Sequence, residues 1–111
     1  MKVLDAGHRY ELASLDGDVR QTLVFVKRFR GTANHPGTTS QDVLRALIDR
    51  VQVLDAEAPW TGNQEIIACY RRALVMHEAR ALMRKVEKGQ MLPEKVVVSD
   101  RDGHFALGIM S

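Results

Sequence analysis

At 111 residues and 12.5 kDa the chain has the length of a single domain, large enough to bury roughly 65% of the surface its unfolded form exposes. Its 45% hydrophobic and 27% charged residues, with 8 Gly and 3 Pro, exclude a wholly disordered or collagen-like chain, and no apolar run approaches the roughly 18 residues of a membrane helix. Sixteen Lys and Arg against fourteen Asp and Glu leave a net charge of +2, too little for a dedicated duplex binder.

From the N-terminus, Met1 to His8 lacks the apolar core of a signal peptide, which predicts a cytoplasmic protein. Residues 9–29 have period two. Tyr10 and Leu12 lead into a Leu15-Asp16-Gly17-Asp18 turn, followed by Leu23 and Phe25 on one face with Val24 and Val26 on the other. The pattern predicts a β-hairpin whose second strand is covered on both sides. Gly31, Asn34, Pro36 and Gly37 then mark a loop.

The period changes at Ser40. Val43, Leu44, Leu47, Ile48, Val51 and Leu54 recur at spacings of three and four, predicting an amphipathic helix over 40–56 that Pro59 closes. Thr39 and Asp42 suit its positively polarised start. Asn63, as N-cap, opens a second helix running to about Lys88 and stopping at Gly89, with Ile66, Ile67, Tyr70, Ala73, Leu74 and Ala81 as its stripe. The short connection predicts an antiparallel helical hairpin over 40–88. Residues 95–110 return to period two, with Val96 to Val98, an Asp102-Gly103 turn and Phe105, Leu107 and Ile109, and predict a second β-hairpin. The expected fold is therefore α+β, one domain over 1–111.

Catalysis finds no support. Cys69 and His77 are eight positions apart on one helix, about 12 Å of rise, so they cannot form a nucleophile and base pair within a chain. Cys69 reads as a buried core residue and His77 as half-exposed. No phosphate-cradling glycine loop is present, and one Cys with four His shows no paired metal-ligand spacing. The expectation is a non-enzyme with no metal and no cofactor.

The second helix carries the most distinctive chemistry. Between Tyr70 and Lys88 lie six basic residues (Arg71, Arg72, Arg80, Arg84, Lys85, Lys88) and two acidic ones (Glu78, Glu87). Arg80 and Arg84, at i and i+4, present neighbouring guanidinium groups suited to bidentate phosphate contacts, with His77 one turn earlier. The same charges also suit a solvated helix C-terminus. Trp60, the only Trp, is either a plug over the hairpin core or a stacking platform for a base.

The segment Pro36-Gly37-Thr38-Thr39-Ser40-Gln41-Asp42-Val43-Leu44-Arg45-Ala46-Leu47-Ile48-Asp49-Arg50-Val51, followed by Pro59, Asn63, Ile67, Ala73-Leu74, Glu78, Arg80 and Arg84, resembles the helical-hairpin domain shared by phage anti-CBASS and anti-Thoeris proteins. These are non-catalytic sponges that sequester the cyclic nucleotide signals of bacterial immunity. The resemblance spans about Tyr10 to Lys88 and is closer to the anti-Thoeris branch, because a β-hairpin precedes the helices. It implies binding of a cyclic ADP-ribose isomer through an Asn opening the second helix and two Arg near its end, matching Asn63, Arg80 and Arg84. Three positions depart from the family pattern. Val53 stands where an aromatic is usual, Trp60 where a Cys is usual and Gly62 where a Glu is usual, and Trp60 is the candidate to replace the missing aromatic surface.

Asn63 and Arg80 are 17 positions apart, which sets them about 100° apart around the helix and about 25 Å apart along it. A ligand on the order of 10 Å across cannot span that rise, so two chains must supply the pair. A homo-oligomer with antiparallel second helices satisfies this. The expected partner is thus a small cyclic nucleotide, with Asn63, Arg80, Arg84, His77, Trp60 and Val53 as candidate site residues and no membrane role. The alternatives are a small phage nucleic-acid-binding regulator using the basic helix, and a protein inhibitor using an exposed hairpin edge.

Overall fold

The computed structural model describes residues 1–27 and 35–89, together with the strand backbones at 96–98 and 105–107. Its elements run β1 (Lys2–Asp5), β2 (Arg9–Ala13), β3 (Arg20–Val24), α1 (Ser40–Glu57), α2 (Gly62–Glu87), β4 (Val96–Val98) and β5 (Phe105–Leu107). These elements group into two compact units, residues 1–39 and 40–111.

In the first unit the predicted hairpin is instead a three-stranded antiparallel sheet, ordered β1-β2-β3. The additional strand, β1, pairs Lys2 with Glu11 and Val3 with Tyr10, and all four of its residues are exposed. A strand without a buried face has no period-two signature, so its pairing with β2 was invisible to patterning. The turn lies where expected, closed by the Ser14 N–H donating to the Val19 carbonyl at 3.1 Å and the Val19 N–H donating to Ser14 Oγ at 3.2 Å. Leu23 to Val26 are half-buried on both faces. β3 ends at Val24, and the expected continuation to Phe29 leads outside the described residues.

Aromatic and ionic contacts tie this unit together. Tyr10 and Phe25 meet edge-to-face at 5.9 Å, and Asp5 bonds both Lys27 Nζ and His8 Nδ1 at 3.2 Å. Lys27 first, and then His8, hold the Asp5 carboxyl below its ordinary pKa. The chain returns beside β3 through a parallel bridge between Phe25 and Thr38. A Cβ on Gly37 would strike the Phe25 backbone, so this return path requires glycine.

The second unit contains the helices, both within about one residue of their predicted limits. Ile48 and Val51 of α1 meet Ile67 and Leu74 of α2, with Leu44, Ile66 and Tyr70 packed around them. Arg45 Nη2 donates to Glu78 Oε1 at 2.6 Å across the pair. Two core expectations are corrected. Leu82 is buried although it lay outside the predicted stripe, and Cys69, expected inside, is exposed. Position 69 lies about 140° round the helix from Leu74, so it faces away from α1. α2 stops at Gly89 (φ +71), whose N–H donates to the Val86 carbonyl at 3.0 Å.

β4 and β5 pair antiparallel, Val96 with Leu107 and Val98 with Phe105, and β5 runs beside α2. The Asp102-Gly103 turn and the remaining ends of this predicted hairpin fall outside the described residues. Among the described residues no helix is long and apolar enough to cross a membrane.

Leu74 is fully buried, at 0% exposure, in the centre of the helix pair. Leu74→Ala is therefore expected to cost about 3–5 kcal/mol through lost transfer energy and a residual cavity. Urea denaturation checks this, and a loss under about 1 kcal/mol would show that the site collapses without penalty.

Candidate functional site

α2 separates two groups of candidate residues by its own length. At the loop end, Asp55 in the last turn of α1 gathers three donors. Its Oδ1 accepts from Asn63 Nδ2 at 2.8 Å and from the Trp60 backbone N–H at 3.3 Å, and its Oδ2 accepts from Gln64 Nε2 at 3.4 Å. Asn63 first, and then the Trp60 N–H, lower the Asp55 pKa by stabilising the carboxylate.

This geometry corrects the role expected for Asn63 as the N-cap. α2 begins at Gly62 with Thr61 at its N-cap position, and the Thr61 side chain makes no cap bond. Asn63 lies inside the first turn, its backbone N–H donating to the Trp60 carbonyl at 3.0 Å and its side chain reaching back across the loop. Trp60 is 63% exposed, so it is not a plug over the core. The six-membered ring of its indole lies against Gly62, where a Cβ would collide with it.

At the other end, Arg80 and Arg84 are exposed and His77 is half-buried. His77 and Arg84 are seven positions apart and share a face, with Arg80 beside them. Neither guanidinium has an ion-pair partner among the described residues, whereas Arg20 bonds Glu11 at 2.7 Å and Arg45 bonds Glu78. Arg71 belongs elsewhere, since its Nε is buried, without a hydrogen-bond partner among the described residues. Arg72 also lies off the Arg80 and Arg84 face by about 80–120° of helix rotation.

The structure thus brings Trp60 and Asn63 together, and separately groups His77, Arg80 and Arg84. It does not unite the two groups within one chain, because Asn63 and Arg80 lie on one 26-residue helix about 25 Å of rise apart. Val53 is 50% exposed on the side of α1 opposite Ile48 and Val51. Among the described residues no cluster of His, Cys, Asp or Glu could hold a metal.

Sequence reasoning missed Asp55. The available signal was electrostatic: the last turn of α1 contains no basic residue, and a carboxylate at the negative end of a helix is locally unfavourable. Such a residue calls for donors from another element. Comparison of the chain with protein-family models, curated proteins and solved structures finds no match.

Because the folded pKa of Asp55 is depressed, its contribution to stability is present above the unfolded value of about 3.9 and is lost as pH falls through the folded value. Asp55→Asn should therefore be less stable than the parent at pH 7, with the difference closing below about pH 4. Urea midpoints of both proteins from pH 7 to pH 2 test this, and a difference unchanged at pH 2 would contradict it.

Proposed function

We propose that this chain binds small cyclic nucleotides without transforming them and holds them away from their effector, as the phage anti-Thoeris and anti-CBASS sponges it resembles do. The observation carrying the proposal is the Arg80 and Arg84 pair, exposed and without carboxylate partners among the described residues, with half-buried His77 on the same flank. An Arg pair at i and i+4 offers several N–H donors to a phosphate oxygen cluster. Glu78, the acidic residue nearest Arg80 in sequence, turns to Arg45 of α1. A nucleic-acid groove binder would draw a longer basic stripe from α2, and the inward Nε of Arg71 weighs against one. The ligand class comes from the sequence resemblance, with cyclic ADP-ribose isomers first and cyclic di- and trinucleotides second.

Under this proposal the working form is a homo-oligomer. Antiparallel α2 helices from two copies set Asn63 of one beside Arg80 and Arg84 of the other, giving two equivalent pockets per pair. Thermal shift against cyclic ADP-ribose isomers and cyclic di- and trinucleotides tests the ligand class, since a ligand at 100 times its Kd adds about 2.7 kcal/mol of stability. No stabilisation by any of them would end the proposal.

Arg80→Ala should weaken binding by about 10- to 150-fold, the loss of charge-assisted bonds of roughly 1.5–3 kcal/mol. Its fold stability should change by less than about 0.5 kcal/mol, because the side chain is exposed. Unchanged affinity by calorimetry would remove Arg80 from the site. Co-refolding Asn63→Ala with Arg80→Ala tests the shared pocket. In a mixed pair one pocket carries both lesions and the other neither, so roughly a quarter of all pockets should recover binding. Mixed pairs seen by mass spectrometry without recovered binding would overturn the shared pocket and leave Asn63 a structural residue of the α1–α2 loop.

A further inference from the structure

The loop end of the helix pair has a chemistry distinct from the basic end. The Trp60 indole is 63% exposed, yet its seat is defined: its six-membered ring lies over Gly62, and its backbone N–H is tied to Asp55. Beside it, the Asn63 side chain has one orientation. A carboxylate only accepts hydrogen bonds, so the Asn63 amide must turn its NH2 toward Asp55 at 2.8 Å and its Oδ1 away. Rotating the amide would set Oδ1 against the carboxylate and lose that bond. Asn63 Oδ1 has no partner among the described residues and is not enclosed.

An open aromatic face beside an oriented acceptor suits a planar ring that carries an amino group. We infer that Trp60 and Asn63 form a site for an aminopurine base, with Trp60 stacking on the ring and Asn63 Oδ1 accepting from its exocyclic amine. Asp55 is the positioning residue, acting through Asn63 by fixing which end of the amide faces the ligand. The inference rests on the nucleotide-binding proposal above and adds to it the base and the group that reads it. It also accounts for glycine at position 62, where any side chain would displace the indole.

Trp60 is the only Trp, so its emission reports this corner of the protein directly. The full chain is titrated with adenosine 5′-monophosphate and with purine riboside 5′-monophosphate, which lacks only the amine. Both should quench Trp60, the amino compound with about 10-fold higher affinity, the worth of one hydrogen bond to an otherwise unpaired acceptor. In Asp55→Asn the neighbouring amide can donate as well as accept, so Asn63 can face either way and the preference should fall below about twofold. Asn63→Ala should abolish the preference while stacking persists. A role for Asp55 in stability alone would leave the ratio unchanged.

Absence of quenching at millimolar adenosine monophosphate, equal affinities in the parent, or a preference surviving both substitutions would overturn the inference. Cyclic nucleotides that stabilise the protein while leaving Trp60 emission unchanged would retain the proposed function and end this inference. Amine-selective quenching without stabilisation by any cyclic nucleotide would do the reverse.

Discussion

The uninterrupted length of α2 is the constraint on which the rest of the second unit depends. Its 26 residues form a single rod, and its hydrogen-bond ladder gives the rod a fixed rise per residue. The apolar contacts of Ile67 and Leu74 with Ile48 and Val51 occupy its middle. That burial leaves the two ends for chemistry, and it prevents the ends from approaching each other. The loop end therefore holds an oriented amide and an exposed aromatic ring, while the far end holds exposed guanidinium groups without carboxylate partners among the described residues. The proposed two-fold pairing follows from this rigidity, because only a second, reversed copy can bring both ends to one small ligand.

Asp55 shows how one residue serves both fold and site. By itself it is poorly placed, a carboxylate at the negative end of the α1 dipole. Three donors from the loop and the first turn of α2 offset that disadvantage, and each helps fix the path from one helix to the next. The same bonds orient the Asn63 amide and anchor Trp60. The bonds of the loop and the proposed specificity of the site thus rest on the same carboxylate.

Charge placement in the second unit follows a similar division. Arg45 and Glu78 neutralise one another across the helix pair, partly shielded from water, where an unpaired charge would be costly. Arg80 and Arg84 stay in solvent near the C-terminal end of α2, where the dipole favours positive charge. Their lack of carboxylate partners among the described residues is tolerated in the free protein because water solvates them, and it leaves them available to an anion.

Periodicity alone determined the two helices and their boundaries, the turn at Leu15 to Asp18, the pairing of β4 with β5 and the solvent exposure of Arg80. Each of these is a local property, set by which side chains repeat at 3.6 or 2 residues and by Gly or Pro at the ends. Tertiary structure alone decided the rest. β1 exists because β2 offers it hydrogen-bonding partners, and its own four exposed residues carry no pattern. Leu82 is inside and Cys69 outside because of how α2 is rotated against α1, which the predicted apolar stripe of α2 located only in part. Asn63 is drawn from a cap to a clasp by Asp55, eight positions earlier, whose carboxylate needs donors that only the folded loop supplies. Spacing along a chain records which residues share a face, and packing decides what that face meets.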